Sequence, residues 1–199
     1  MTRRPTAAIS VPCVSGLLAL ALAGCGGGSS AATGPATGSI TCQNITGTAD
    51  FSPPLTLSGS ATDTTTITLT STECTTSGSD VTKVVSGTAT VHNTSGSSSC
   101  VALLNSRPLT ATVNWDPDTV EPSVVSFSGY SPTEAGGTGF LFPGTGHSAK
   151  VTGSFAGANH GADSSASAFT TESTTQILGE CSGPGLASIP ISSGVLKLG

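Results

Sequence analysis

This sequence predicts an all-β fold: an antiparallel β-sandwich or barrel, Ig-like, held by two disulfides. Three observations carry the prediction. Polar and apolar residues alternate with a period of two along several segments, the repeat of a strand with one wet and one buried face. Clusters of Gly, Pro, Ser, Asn and Asp punctuate those segments at intervals of about 8–15 residues, the rhythm of short antiparallel strands and their turns. Four cysteines lie in the body of the chain, an even number suited to an oxidising compartment.

Taken in order, the strongest alternation is in residues 62–72, where every even position is Thr while Ile67 and Leu69 occupy odd ones. In residues 109–115, Leu109, Ala111, Val113 and Trp115 alternate with Thr110, Thr112 and Asn114. Residues 81–91, 124–127, 150–155 and 189–198 are further strand candidates rich in β-branched side chains. Turns are expected at Ser52-Pro53-Pro54, at residues 76–80 and 93–96, and at Asp116-Pro117-Asp118. No stretch of helical period competes once the N-terminal segment is set aside. The Thr row invites a comparison with the flat Thr arrays of ice-binding surfaces. Such arrays need repetition on adjacent strands, and no fixed-period repeat is visible, so a solvent-facing strand is the plain reading.

Composition narrows the function classes. Of 199 residues, 31 are Ser, 32 Thr and 26 Gly, and only 9% are charged, against about 25% in an ordinary globular chain. That excludes a helical bundle or coiled coil. The net charge of −5 and the lack of a basic cluster exclude a nucleic-acid partner.

The N-terminus has the three parts of an export signal: Arg3 and Arg4, an apolar stretch over residues 7–23, and a small-residue site. Leu22-Ala23-Gly24-Cys25 resembles the lipobox of bacterial lipoproteins at all four positions. The resemblance implies cleavage after residue 24 and a diacylglycerol on Cys25. Two acyl chains hold a protein on a membrane stably, where one is marginal. The expected partition is therefore a signal over residues 1–24, a lipidated Cys25 with a Gly/Ser/Thr tether over residues 25–39, and one β domain over residues 40–199. The location that follows is the extracytoplasmic face of the cell membrane. Pro5, Thr6 and Ala7 follow the arginine pair where a twin-arginine signal would carry a bulky apolar residue, which favours general secretion. A tether of this composition spans roughly 20 Å as a flexible coil. Removing Arg3 and Arg4 leaves four basic residues against eleven acidic ones, a net charge of −7, so attachment would rest on the lipid.

Candidate chemistry is sparse. Gly146-His147-Ser148-Ala149-Lys150 resembles the serine-hydrolase elbow G-x-S-x-G, but Lys150 stands where the last Gly belongs. A hydrolase around Ser148 is thus a minor alternative, and a polar turn is the default. The three histidines lack zinc-ligand spacing. Asp116, Asp118 and Glu121 share one loop and offer the hard oxygen ligands that Ca²⁺ takes, though Asp-Pro-Asp is also an ordinary turn. No cofactor is expected. Trp115 continues an apolar parity and reads as core, whereas Tyr130 could be an exposed loop ring that stacks on a sugar. The sequons at Asn44 and Asn93 arise readily by chance in a Ser/Thr-rich chain, and the lipobox points to a bacterium. The reading is a monomeric, lipid-anchored envelope protein, a non-enzymatic structural or interaction module. The alternative is a small-molecule or glycan-binding module, recognisable by a concave pocket.

Cys13 leaves with the signal and Cys25 carries lipid, so Cys42, Cys74, Cys100 and Cys181 remain for two disulfides. Three pairings are possible. Cys74–Cys100 with Cys42–Cys181 is favoured, linking neighbouring segments and tying the first strand to a late one. The absence of a C-x₂₋₄-C pair weighs against zinc. This cysteine spacing in a Ser/Thr/Gly-rich background resembles exported β-proteins of actinomycete-type bacteria, which implies fold class and compartment but no catalytic residue.

Overall fold

The alternating Thr and β-branched segments do become strands, and the turn clusters mostly end them. The computed structural model describes residues 34–59, 63–81, 83–95, 99–134 and 136–199. The expected signal, Cys25 and the expected tether up to residue 33 lie outside these residues. Among the described residues the order is β1 (Ser39–Leu55), β2 (Asp63–Ser77), β3 (Ser86–Ser95), α1 (Cys100–Leu103), β4 (Leu109–Asp116), β5 (Ser123–Phe127) and β6 (Ser131–Glu134). Then come β7 (Thr138–Phe142), β8 (Ala149–Gly153), β9 (Ser165–Phe169), α2 (Thr174–Ser182), β10 (Leu186–Ile191) and β11 (Ser193–Leu198).

The fold is all-β and antiparallel. Its strands join one sheet in the order β6-β7-β9-β11-β1-β2-β3-β4-β5-β8, with β10 pairing the second half of β1. The sheet curls into a half-barrel. Curling, rather than the stacking of two Ig-like sheets, is what surrounds the core. Near its ends the sheet meets itself through side chains and loops. The Phe127 ring of β5 lies 5.4 Å from the Phe142 ring of β7. The Gly144 N–H donates to the Gly129 carbonyl at 3.0 Å, and the Ser128 N–H to the Ser148 carbonyl at 2.9 Å.

Parity decides which side chains face the core. Along β1 to β4, Ile45, Ala49, Ala111, Val113 and Trp115 are buried, while Thr46, Thr48, Thr110 and Thr112 are exposed. Trp115 packs edge-on against Phe155 at 5.3 Å, and its indole N–H donates to the Ser123 hydroxyl at 2.9 Å. That hydroxyl in turn donates to the Ser154 carbonyl, so the polar edge of the indole is satisfied inside the core. Trp115 lies across Gly87, its partner on β3. A Cβ on Gly87 would sit 2.8 Å from the indole ring, so only glycine admits the ring there.

The disulfides are Cys42–Cys74 and Cys100–Cys181, which corrects the favoured pairing. The physical reason is topological. β1 and β2 form one long hairpin, and its register sets Cys42 directly opposite Cys74. Strict alternation would leave Cys74 on the exposed Thr face. However, Glu73 adopts a left-handed φ of 55°, and across it the inward parity passes from Ser71 to Cys74. The second bridge joins the two helices, α1 at Cys100 and α2 at Cys181. Loops spanning 32 and 81 residues give each bridge a stabilisation of about 4 kcal/mol through the unfolded chain.

Three further expectations are corrected. Helix α2 exists although no helical period announced it: it buries only Ile177 and Cys181, too narrow a stripe to stand out among Thr, Gly and Ser. Ser52-Pro53-Pro54 does not end a strand, since β1 runs through it to Leu55. The fold also takes in residues 36–39, assigned above to the tether. Ala36 is buried, its N–H donating to the Ser154 hydroxyl at 2.9 Å and its carbonyl accepting from the Phe155 N–H at 2.7 Å. Next to it, the Thr37 N–H and hydroxyl donate to the Asp80 carboxylate at 2.9 and 3.0 Å. Those two bonds hold the Asp80 carboxyl below the usual carboxylate range.

Candidate functional site

A curled wall of small side chains leaves space at its centre. Inward positions are taken by Ala49, Ala89, Ala111, Ala166 and Ala168, whose single methyl groups stop well short of the opposite wall. The result is an apolar chamber of two adjoining compartments, with cavity volumes of ≈ 90 and ≈ 100 Å³, both partly open to solvent. Ile67, Val91, Leu109, Phe142 and Ile191 line both, so the two compartments adjoin. Mid-sized barrels use their interiors to hold small ligands.

The larger compartment has no charged residue in its described lining. Arg107 is the single charged residue in the described lining of the other. It sits at an end built by the segment between α1 and β4, together with Leu103 and Tyr130. The Tyr130 hydroxyl donates to the Leu103 carbonyl, and its ring packs against Phe140 and Phe142 at 5.7 and 5.3 Å. Burial pushes the Tyr130 phenol up from its ordinary value, against the opposing pull of the nearby Arg107 guanidinium. Tyr130 is thus a buried wall residue, which corrects its reading as an exposed loop ring. Trp115 is core, as its parity predicts. The single Trp and single Tyr of the chain are therefore both turned inward, and neither forms a sugar platform.

The rim near Arg107 is braced by a Ser–His contact that the sequence reading missed. The Ser106 hydroxyl lies 3.0 Å from His147 Nε2 and accepts the Tyr130 N–H at 2.8 Å. A Cβ on Gly129 would collide with both side chains, so glycine is what lets them meet over the turn. A separation of 41 positions between Ser106 and His147 hid this pair from any local motif. Among the described residues no carboxylate hydrogen-bonds the His147 ring, the third part that an acyl-transfer triad uses. Ser148 is placed differently from a nucleophile: its N–H and hydroxyl both go to the Ser128 hydroxyl, at 2.8 and 3.3 Å. Lys150 points outward from β8, opposite Ser126.

Asp116 ends β4, and Asp118 and Glu121 follow in the loop to β5; among the described residues no three His, Cys, Asp or Glu side chains gather into a metal-holding group. No helix among the described residues is long and apolar enough to cross a membrane.

The outer face holds the second surprise. Register aligns Thr46, Thr70, Thr88 and Asn114 in one row across β1 to β4, and Thr48, Thr68, Thr90 and Thr112 in the next. All eight are exposed. The repetition on adjacent strands that the sequence did not show is therefore present in space, with steps of about 4.8 Å between strands and about 6.7 Å along them. Its carrier is a curled, twisted sheet, so the lattice is not planar. Comparison of this chain with family models, with curated proteins and with solved structures finds no match.

Proposed function

We propose that this chain is a lipid-anchored envelope protein whose β domain holds an apolar small molecule inside its half-barrel, without catalysing a reaction. One observation carries the reading: an apolar chamber of two adjoining compartments, the larger of which has no charged residue in its described lining. An apolar space of this kind is poorly wetted, so a ligand that fills it gains dispersion contacts and displaces little ordered water. The lipobox at Cys25 supplies the location, since it would keep the domain within reach of membrane-derived apolar molecules. Inward-facing Trp115 and Tyr130 argue against a glycan as the occupant.

Native mass spectrometry of the chain purified from a lipoprotein-processing host tests the reading. A small co-purifying apolar molecule, released on unfolding, is expected. Loss of membrane retention in Cys25→Ser is expected alongside it. A protein that arrives empty and stays empty after incubation with hydrophobic extracts would remove the binding reading; unchanged retention in Cys25→Ser would remove the anchor.

A further inference from the structure

Resting on that reading, we infer that the Ala-lined compartment takes one aromatic ring of an uncharged molecule: a monocyclic arene, or an aryl group whose carrier stays outside at the opening. Size sets the first limit. An apolar cavity of about 150 Å³, walled by aliphatic and aromatic side chains, holds one benzene molecule. At ≈ 100 Å³ and partly open, this compartment is of that order, with room for a single ring and not for a long chain. Short side chains make the room, since Ala89, Ala111 and Ala168 stand on its wall. The adjoining compartment suits an apolar ring less well, because it carries Arg107, which is already engaged within the protein.

The lining sets the second limit. Phe127 and Phe142 stand side by side in it, their ring centroids 5.4 Å apart and their planes tilted by 43°. A third ring beside them gains offset or edge-to-face contacts that a saturated ring of equal size lacks. A rigid ring also enters without the loss of rotamer freedom that a flexible alkyl chain would suffer. Polarity sets the third limit. The described lining has no charged residue, and its two serine hydroxyls are engaged. Ser71 donates to the Gly87 carbonyl at 3.1 Å, and Ser167 accepts the Val195 N–H at 3.1 Å. A hydroxyl carried in on the ring would exchange water for hydrocarbon, which costs free energy unless it finds a partner.

The test compares toluene, methylcyclohexane and phenol by sealed equilibrium dialysis. It uses the full chain carrying Cys25→Ser, so that no acyl group of its own competes. With each affinity scaled to partition into hexadecane, toluene should be preferred over methylcyclohexane by about five-fold or more, the scale of one or two aromatic pairs. Toluene should bind about ten-fold or more tightly than phenol, which has the same shape. Phe142→Leu should bring toluene and methylcyclohexane within about two-fold of each other while methylcyclohexane still binds. Phe127→Leu removes the second ring and should show the same loss of preference, so the test survives if one variant fails to fold. Equal scaled affinities in the wild type, a preference unchanged in the folded variants, or phenol binding as tightly as toluene would overturn the aryl assignment and leave the chamber reading standing. Failure of all three ligands to bind the folded protein would overturn the chamber reading itself.

Discussion

The two faces of β1 to β4 are made of the same strands and do opposite things. Outward, eight positions in two rows carry seven Thr and one Asn, all in water. Inward, one residue along, stand Ile45, Ile67, Ala89 and Ala111, which wall an apolar chamber. Thr suits the outer face because its β-branched shape fits a pleated surface and its hydroxyl stays hydrated. Ala on the inner face contributes little burial of its own, and its shortness is what leaves room. Uniform polarity outside fixes the register, since a slip by one residue would carry Thr inward. The interior is thereby free to be underfilled.

The largest effect that would break this contrast is a charge placed on the inner wall. Ala111→Asp should destabilise by about 3 kcal/mol or more, because a buried carboxylate has no partner there. Thr112→Asp, the next residue but facing outward, should stay within about 0.5 kcal/mol. Urea denaturation of both settles the matter, and equal losses would refute the assignment of faces.

A finer version of the contrast uses Gly87 and Thr88. Gly87→Ala drives a methyl into Trp115 and should cost roughly 1–3 kcal/mol, with a change in the indole fluorescence. Thr88→Ala should leave that emission unchanged and cost only a few tenths. If Gly87→Ala is neutral, Trp115 does not lie where the register places it.

The smallest expected effect lies away from the sheet faces, at Glu172, just before the N-cap of α2. Burial, with Glu180 adding repulsion, pushes the Glu172 carboxyl up, and its Oε2 lacks a hydrogen bond. A carboxyl with a raised folded-state value favours the fold below its unfolded value and loses that contribution as pH rises through the folded one. Glu172→Gln should therefore stabilise by a few tenths of a kcal/mol at neutral pH, with the gain vanishing below the ordinary Glu range. Melting curves across that window check the sign; a variant that is less stable at neutral pH would contradict it. Asp80 works oppositely. Its value is lowered by Thr37, so the grip on the N-terminal segment should weaken as pH falls through that lowered value.

Fold class was legible because period-two alternation is local: Leu109 to Trp115 reads inward and outward from the residues alone. What was not legible needed long-range partners. The Cys42–Cys74 pairing depends on a hairpin register and on the backbone turn at Glu73, neither of which any residue count reveals. Tyr130 sits between Gly129 and Ser131 like any loop ring, and only the approach of Leu103, Phe140 and Phe142 buries it. The Thr lattice arises from the Thr alternation of β2, visible in the sequence, and from the three strands that register aligns with it. One signal was present and overlooked: Ser173 with Gln176 is a capping box, and the structure shows both of its bonds at the start of α2. The chamber itself is a property of curvature. The short inward residues were visible, but not that the sheet would bend around them.

Uptake of the uncharged probe N-phenyl-1-naphthylamine, measured on the wild-type chain and on Ala111→Phe, tests the central claim most directly. The added ring should occupy the Ala-lined compartment, leaving the fold intact and its melting temperature unchanged or raised. We predict saturable fluorescence enhancement with the wild type and its loss, by about ten-fold or more in affinity, with Ala111→Phe. Equal uptake by the two folded proteins, or none by the wild type, would contradict a ligand chamber inside the half-barrel.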